Sequence, residues 1–269
     1  MLVRTWNLFH GNAKPPERSA FLEEMVRLAC ADSPDVVCLQ EVPVWAIREL
    51  GGWSGMTVLA EVAAQPSLGP FPSTAAVGCA LTSLDHGLLR SAFTGQANAM
   101  LVSAGLRAGD VSTLVLNSRG FRRAQARWLG LDLVARLAWA SERRVCQAVR
   151  VTDGEGRTIL FGNLHATSYR PDERLADAEL LRAAAFVDGL AAADEPIALC
   201  GDFNVTAARS RTLSDLCSAD WGFDGPGSGI DHVLVRGARV SEPLRWPDER
   251  RTADGRLLSD HAPVDVTIE

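Results

Sequence analysis

Lysine is almost missing from this chain. Lys14 is the only one, so nearly every positive charge is an arginine, a bias that codon usage in a GC-rich genome can produce by itself. Acidic residues still outnumber basic ones, giving a net charge of −6 and a pI near 5.4. That balance speaks against a general nucleic-acid binder, which is usually basic overall, although a local basic patch can hold phosphate on an acidic protein. Long apolar runs are also missing: none reaches the roughly 18 residues of a helical membrane span. The opening residues have no basic segment followed by an apolar one, so no signal peptide is expected. None of the six cysteines forms a Cys-x-x-Cys pair, which removes the usual zinc and dithiol motifs. Cys38 and Cys200 sit inside apolar runs, and the expectation is reduced core thiols in a cytoplasmic protein. No internal repeat, low-complexity tract or linker interrupts the 269 residues, so one domain over 1–269 is expected.

Five short motifs fall in a fixed order. They are Thr5-Trp6-Asn7, Leu39-Gln40-Glu41, Gly162-Asn163-Leu164-His165, Gly201-Asp202-Phe203-Asn204 and Ser259-Asp260-His261, with Gly229-Ile230-Asp231-His232 before the last. Each places Asn, Asp, Glu or His at the end of an apolar, strand-like run. Residues i and i+2 of an extended chain point the same way, so Asp202 and Asn204 can converge on one ligand, and Asn163 and His165 can do the same. A carboxylate can bind metal or orient water, and an amide can donate to a phosphate oxygen. A carboxylate such as Asp231 behind His261 would fix the tautomer of the imidazole and raise its basicity. Taken singly, Gly201-Asp202-Phe203-Asn204 reads equally well as a polar turn, Glu41 and Asn7 read better as polar strand boundaries, and a lone histidine is more often structural. All of them together suit Mg²⁺-assisted attack of water on a phosphate ester.

Periodicity supplies the elements. Residues 2–8 read as a strand, 17–31 as an amphipathic helix and 36–40 as a buried strand delivering Glu41. Strands are expected at 97–103 and 111–116. A hairpin is expected from 145–152 and 158–164, a long helix at 172–190, and further strands at 197–200, 230–235 and 264–268. Residues 51–74, rich in Gly, Pro and Ser, give no clear pattern, and 119–140 is arginine-rich with room for a short helix. Many short strands with a few helices suggest two packed sheets covered by helices.

The motif set resembles the endonuclease/exonuclease/phosphatase superfamily, which includes deoxyribonuclease I, the exonuclease III type of AP endonuclease, neutral sphingomyelinases and inositol polyphosphate 5-phosphatases. The matching motifs run from Thr5 to Val264. The resemblance implies a four-layer α/β sandwich of two mixed sheets, with the site at one edge. It also implies that Asn7, Glu41 and Asp260 surround the principal Mg²⁺, with Mn²⁺ able to substitute. Asp202 would orient or deprotonate the attacking water, and Asn204 would contact phosphate and water. Asp231 and His261 would form a dyad, and His165 would contact the phosphate and stabilise charge in the transition state. Many AP endonucleases carry tyrosine at the place of His165, so the Asn-x-His form points to the other branches.

Arg119, Arg122, Arg123 and Arg127, interleaved with Phe121 and Trp128, are the clearest substrate-side clue, because arginines and aromatics grip phosphates and stack on bases. Arg119 and Asn163 are the candidate substrate-binding residues. Arg123 and Arg127 read better as a solvated helix face, Arg122 has no assigned role, and His10 and His232 read as structural or peripheral. The expected protein is a monomeric, Mg²⁺-dependent phosphodiesterase acting on nucleic acid, DNA or RNA. A small phosphorylated metabolite or a phospholipid head group is the alternative substrate. An inactive binding domain is the reading from another class, and the intact acid, amide and imidazole set argues against it.

Overall fold

Alternation with period two decides where each strand residue goes. In the strand Leu2–Asn7 (β1), Val3 packs into the space between two sheets, whereas Trp6 packs outward against a helix. The same parity runs through Val36–Val42 (β2), Thr57–Ala64 (β3), Gln96–Val102 (β4) and Val264–Thr267 (β10) of one sheet. It also runs through Ser112–Val115 (β5), Val145–Thr152 (β6), Thr158–His165 (β7), Ile197–Asp202 (β8) and Asp231–Arg236 (β9) of the other. These come from a computed structural model that describes residues 1–69, 71–89 and 93–269.

The first sheet has the order β10-β1-β2-β4-β3, with the two-residue strand Leu244–Arg245 outside β10. β1 and β2 are parallel and the other pairs are antiparallel. The second has the order β9-β8-β7-β6, with β7 and β8 parallel, and both β5 and the short strand Arg107–Ala108 on β6. Val3, Val36, Cys38, Met100 and Val102 of one sheet meet Val149, Val151, Phe161, Ala198, Cys200, Val233 and Val235 of the other. Outside the first sheet lies the helix Leu22–Cys30 (α1), which buries Leu22, Met25, Val26 and Ala29, spaced i, i+3, i+4, i+7. Outside the second lies Arg174–Leu190 (α5), with Ala176, Leu180, Ala183 and Val187 against Leu160, Leu164 and Leu199. Each fully buried Leu, Val or Met contributes about 1.5–3 kcal/mol before entropy is counted. The result is the four-layer helix–sheet–sheet–helix stack expected from the sequence.

Three local differences have physical reasons. Helix α1 begins at Leu22 rather than 17, because residues 17 and 18 serve the one-turn helix His86–Leu89: Arg18 O accepts from His86 N–H, and Glu17 O lies against Gly87. Residues 51–74, unreadable in sequence, contain the edge strand β3 and part of the short helix Leu50–Ser54; residue 70 lies outside the described residues. The arginine-rich stretch is a helical hairpin, Arg119–Trp128 (α3) and Leu133–Ser141 (α4). Gly130 makes its turn at φ +63°, and Asp132 caps α4 by accepting from Ala135 N–H. The other helices include Ala75–Thr82 (α2), capped by Thr74. Among the described residues, no helix is long and apolar enough to cross a membrane.

Candidate active site

Strand register builds the site. β7, β8 and β9 align His165 with Asp202, and Asp202 with Asp231, on three neighbouring strands. Parity turns all three toward the space between the sheets. Residues directly opposite on neighbouring strands have their Cβ atoms about 4.5–5.5 Å apart, close enough to share one substrate. Gly201 permits this closeness: its φ is +140°, and a Cβ there would lie 1.9 Å from Leu164 O. Asn7 comes to the same edge from the first sheet, where it is paired with Gln40, the residue before Glu41.

The lining side chains of the resulting cleft, of about 340 Å³, include His10, Glu41, Arg144, His165, Asp202, Asn204, Asp260 and His261. Asn7 Nδ2 donates to Glu41 Oε1 at 3.1 Å and to Asp202 Oδ2 at 2.9 Å, bracing two carboxylates that would otherwise repel. His261 Nδ1 lies 2.9 Å from Asp231, and its Nε2 lies 3.8 Å from Asp202 Oδ2. His165 Nε2 lies 3.5 Å from Asp202 Oδ2 and 3.7 Å from Glu41 Oε1. Asn204 closes a turn: its N–H donates to Asp202 Oδ1, and its amide donates to Ala166 O.

Phe9, His10, Glu41, Asn204 and Ser259 all have positive φ, so among the described residues five of the eight non-glycine residues in that region border this one edge. Such backbone is disfavoured by about 1–3 kcal/mol per residue and persists only where its surroundings hold it. The holding contacts are visible. Ser259 Oγ donates to Asn7 O and accepts from His261 N–H. Arg251 Nη1 donates to the carbonyls of Leu258, Ser259 and His261, and Trp6 Nε1 also donates to His261 O.

Electrostatics separates the groups. Burial, partly offset by the His261 charge, pushes the Asp202 carboxyl up to about 7. Burial pulls His261 the other way, but Asp202 and Asp231 outweigh it and raise the imidazole to about 10. Burial, followed by the charges of Arg144 and His261, holds His165 well below its ordinary value and therefore neutral. Although burial opposes it, His10 and the Asn7 amide keep Glu41 below the usual carboxylate range. Burial raises Asp260, and the neighbouring Glu41 adds to the effect.

Two of the expected substrate contacts lie elsewhere. Asn163 shares the inward face of β7 with His165, but two residues deeper and fully buried. It accepts from Gln40 Nε2 at 2.8 Å and donates to the carbonyls of Leu39 and Ala99 at 3.2 and 3.0 Å, tying the two sheets together. Arg119 is the first residue of α3 and lines a separate groove, outside the cleft. Asn7 Oδ1 accepts from Phe9 N–H, and its amide nitrogen faces the carboxylates. His232, on the outward face of β9, bonds Val205 O and packs on Phe203 as a structural residue.

His10, expected to be structural or peripheral, and Arg144 also line the cleft. His10 Nε2 lies 3.2 Å from Glu41 Oε2, and Arg144 Nη1 lies 2.8 Å from His165 Nδ1 while Nη2 donates to Glu142. Arg144 Nε is buried with no partner. His10 sits in a loop and Arg144 at the start of a strand, and neither carries a motif of its own.

The donor set suits a hard divalent cation: Glu41, Asp202 and Asp260 bring carboxylate oxygens to one cleft, where their mutual repulsion needs a positive charge. Asp202, Asp231 and His261 also place one atom each within 4.8 Å of one another, as ligands do. The Asp231–His261 hydrogen bond accounts for that closeness without an ion, so Glu41 and Asp260 are the better ligands and Asp231–His261 a dyad.

Residues 5–261 match the model of the Endonuclease/Exonuclease/phosphatase family. No curated protein sequence matches. Solved structures match over the whole chain. The human Nocturnin catalytic domain with bound sulfate has a TM-score of 0.68, 14% identity and 93% of its chain covered. A functionally unknown conserved protein from Enterococcus faecalis has 0.67, 16% and 99%. A mannosyl-6-phosphatase from Bacteroides thetaiotaomicron has 0.66, 15% and 99%. At these identities the likeness is one of fold.

Proposed function

The chain belongs to the Endonuclease/Exonuclease/phosphatase family, and from that premise we propose that it is a Mg²⁺-dependent phosphodiesterase that splits its substrate by in-line attack of water, without a covalent enzyme intermediate. The observation that carries this reading is the register placing His165, Asp202 and Asp231 side by side, facing Glu41, with His261 closing over them.

A carboxyl near pH 7 beside an imidazolium near pH 10 is the divergence that assigns base and acid. Asp202 takes the proton of the attacking water at Oδ2. Protonated His261, with Nδ1 held by Asp231, turns Nε2 toward the phosphate and stabilises the developing charge. Neutral His165 and Arg144 add donors on the other side of the cleft. Glu41 and Asp260 would hold the cation, while Asn7 fixes the spacing of Glu41 and Asp202. When bound there, Mg²⁺ supplies positive charge against the dianionic transition state.

Among substrates, a phospholipid head group is the reading that the cleft's surroundings support best. The rim helix α4 exposes Leu133, Val134 and Leu137, which a nucleic acid would leave in water. Nucleic acid is the second reading, supported by the arginines of α3 and the exposed Trp128. The deciding experiment compares head-group release from phospholipid vesicles with nicking of supercoiled plasmid, each with Mg²⁺, with EDTA and with His261→Ala. Metal-dependent vesicle hydrolysis lost in both controls supports the first reading, and the same pattern on plasmid alone replaces it with the second. Failure on these and on soluble aryl phosphodiesters, by folded protein, overturns the phosphodiesterase.

A further inference from the structure

The hairpin α3–α4 carries two features that belong together. The first is a groove of about 600 Å³ lined by Arg119, Arg122, Arg123, Arg127 and Arg136, with Trp139 also in its wall. Among the described residues, none of these five guanidiniums has a carboxylate within 4.0 Å, and Arg122 Nε is buried with no partner. A protein of net charge −6 thus keeps five arginines unneutralised in one place. The second is the outward face of α4. Leu133 is 71% exposed, Val134 64% and Leu137 61%, and Trp128 at the end of α3 is 81% exposed.

The helical period sets their order around α4. Arg136 and Trp139 face the groove, whereas Ala138, Ser141 and Glu142 face the catalytic cleft. Leu133 and Leu137 fall on the arc between them, and Val134 lies at its cleft side, in line with Ala138 and Ser141. An aliphatic ridge therefore stands beside the cleft, with the uncompensated arginines along its other flank.

We infer that the α3–α4 hairpin docks the protein on an anionic lipid surface, inserting Leu133, Val134, Leu137 and Trp128 at the boundary between head groups and acyl chains while the arginines of α3 bind lipid phosphates. Aliphatic and indole side chains flanked by arginine are the composition of an interfacial helix, and each basic group adds attraction to anionic lipid. A nucleic-acid strand would satisfy the arginines and leave the aliphatic ridge in water. A second copy of this chain in a symmetric pair would bring five arginines against five. Docking turns the cleft toward the bilayer, which rests on the phospholipid reading above, but binding itself needs no turnover.

The test is co-sedimentation with vesicles of phosphatidylglycerol and phosphatidylcholine, against phosphatidylcholine alone, using the full chain. Two double variants are compared, Leu133→Gln with Leu137→Gln and Arg123→Glu with Arg127→Glu, each checked by circular dichroism. Binding to the anionic vesicles is expected to fall roughly tenfold or more in either variant, and to weaken as salt rises. Hydrolysis of a soluble aryl phosphodiester is expected to stay at the wild-type rate. His261→Ala is expected to bind vesicles like wild type, so loss of catalysis and loss of docking are read separately. The inference is overturned by wild-type protein that ignores anionic vesicles at low salt, or by vesicle binding that both variants retain. It is also overturned if the arginine variant loses affinity for a labelled single-stranded oligonucleotide while vesicles bind neither protein, or if the leucine variant merely dissociates a dimer in sedimentation velocity.

Discussion

Asn163→Leu separates a residue that holds the sheets from one that touches substrate. The amide is fully buried and makes three hydrogen bonds to the opposite sheet, at 2.8, 3.2 and 3.0 Å. Leucine keeps the branched shape, with bulkier methyl groups, and removes all three. A buried hydrogen bond contributes about 1 kcal/mol net, and a polar group left without a partner is destabilising by about 1–3 kcal/mol. Gln40 Nε2 keeps acceptors at Thr5 Oγ1 and Cys38 O, which softens the loss on that side. The carbonyls of Leu39 and Ala99 lose their side-chain donor. The expected destabilisation is about 3–5 kcal/mol, a large part of the 5–15 kcal/mol typical of a folded domain. At roughly 2–4 °C per kcal/mol for a chain of this size, Tm should fall by about 10 °C in scanning calorimetry. At a temperature where the variant remains folded, kcat and KM should match wild type, because Asn163 does not line the cleft. An unchanged Tm with a raised KM would refute the reasoning and restore Asn163 to the substrate.

Asp202→Ala and His261→Ala should each lower kcat by about 10²–10⁴-fold with the circular dichroism spectrum unchanged, since each removes a proton-transfer group; wild-type-like turnover in either sinks the mechanism. Glu41→Ala should weaken Mg²⁺ binding in calorimetric titration, and an unaltered isotherm would take the cation elsewhere. The metal-free protein should lose stability as pH rises. Asp202, raised from 3.8 to about 7, contributes stability that is complete below pH 4 and gone above about 7. His261, raised from 6.5 to about 10, contributes stability that is complete below 6.5 and lost through about 10. Both signs agree, and above about pH 6.5, where the depressed His165 no longer adds an opposite slope, Tm measured in EDTA should decline to pH 10; a rise over that window would contradict the His261 assignment.

Legibility followed the range of the interactions. Asn7, Glu41, His165, Asp202 and His261 could be picked out because each ends an apolar run, and the parity of β7 and β8 is a local property. The same parity misled at Asn163, which shares a face with His165: sequence shows the face but not the depth. Arg119 misled for a related reason, since an arginine after a strand reads as a loop residue until Gly130 and Asp132 fold the stretch back as a hairpin.

The sequence by itself determined the strand ends, the helix faces and the set of polar side chains, because these depend on periodicities of 2 and 3.6 within a dozen residues. Only the tertiary structure decided which of them meet. Asn7 reaches Asp202 across 195 residues and His261 reaches Asp231 across 30, through sheet register that no local pattern encodes. The same long-range packing brought His10 and Arg144 into the cleft and sank Asn163 between the sheets. It also left Leu133, Val134 and Leu137 facing outward on α4, in a stretch whose sequence showed only room for a short helix.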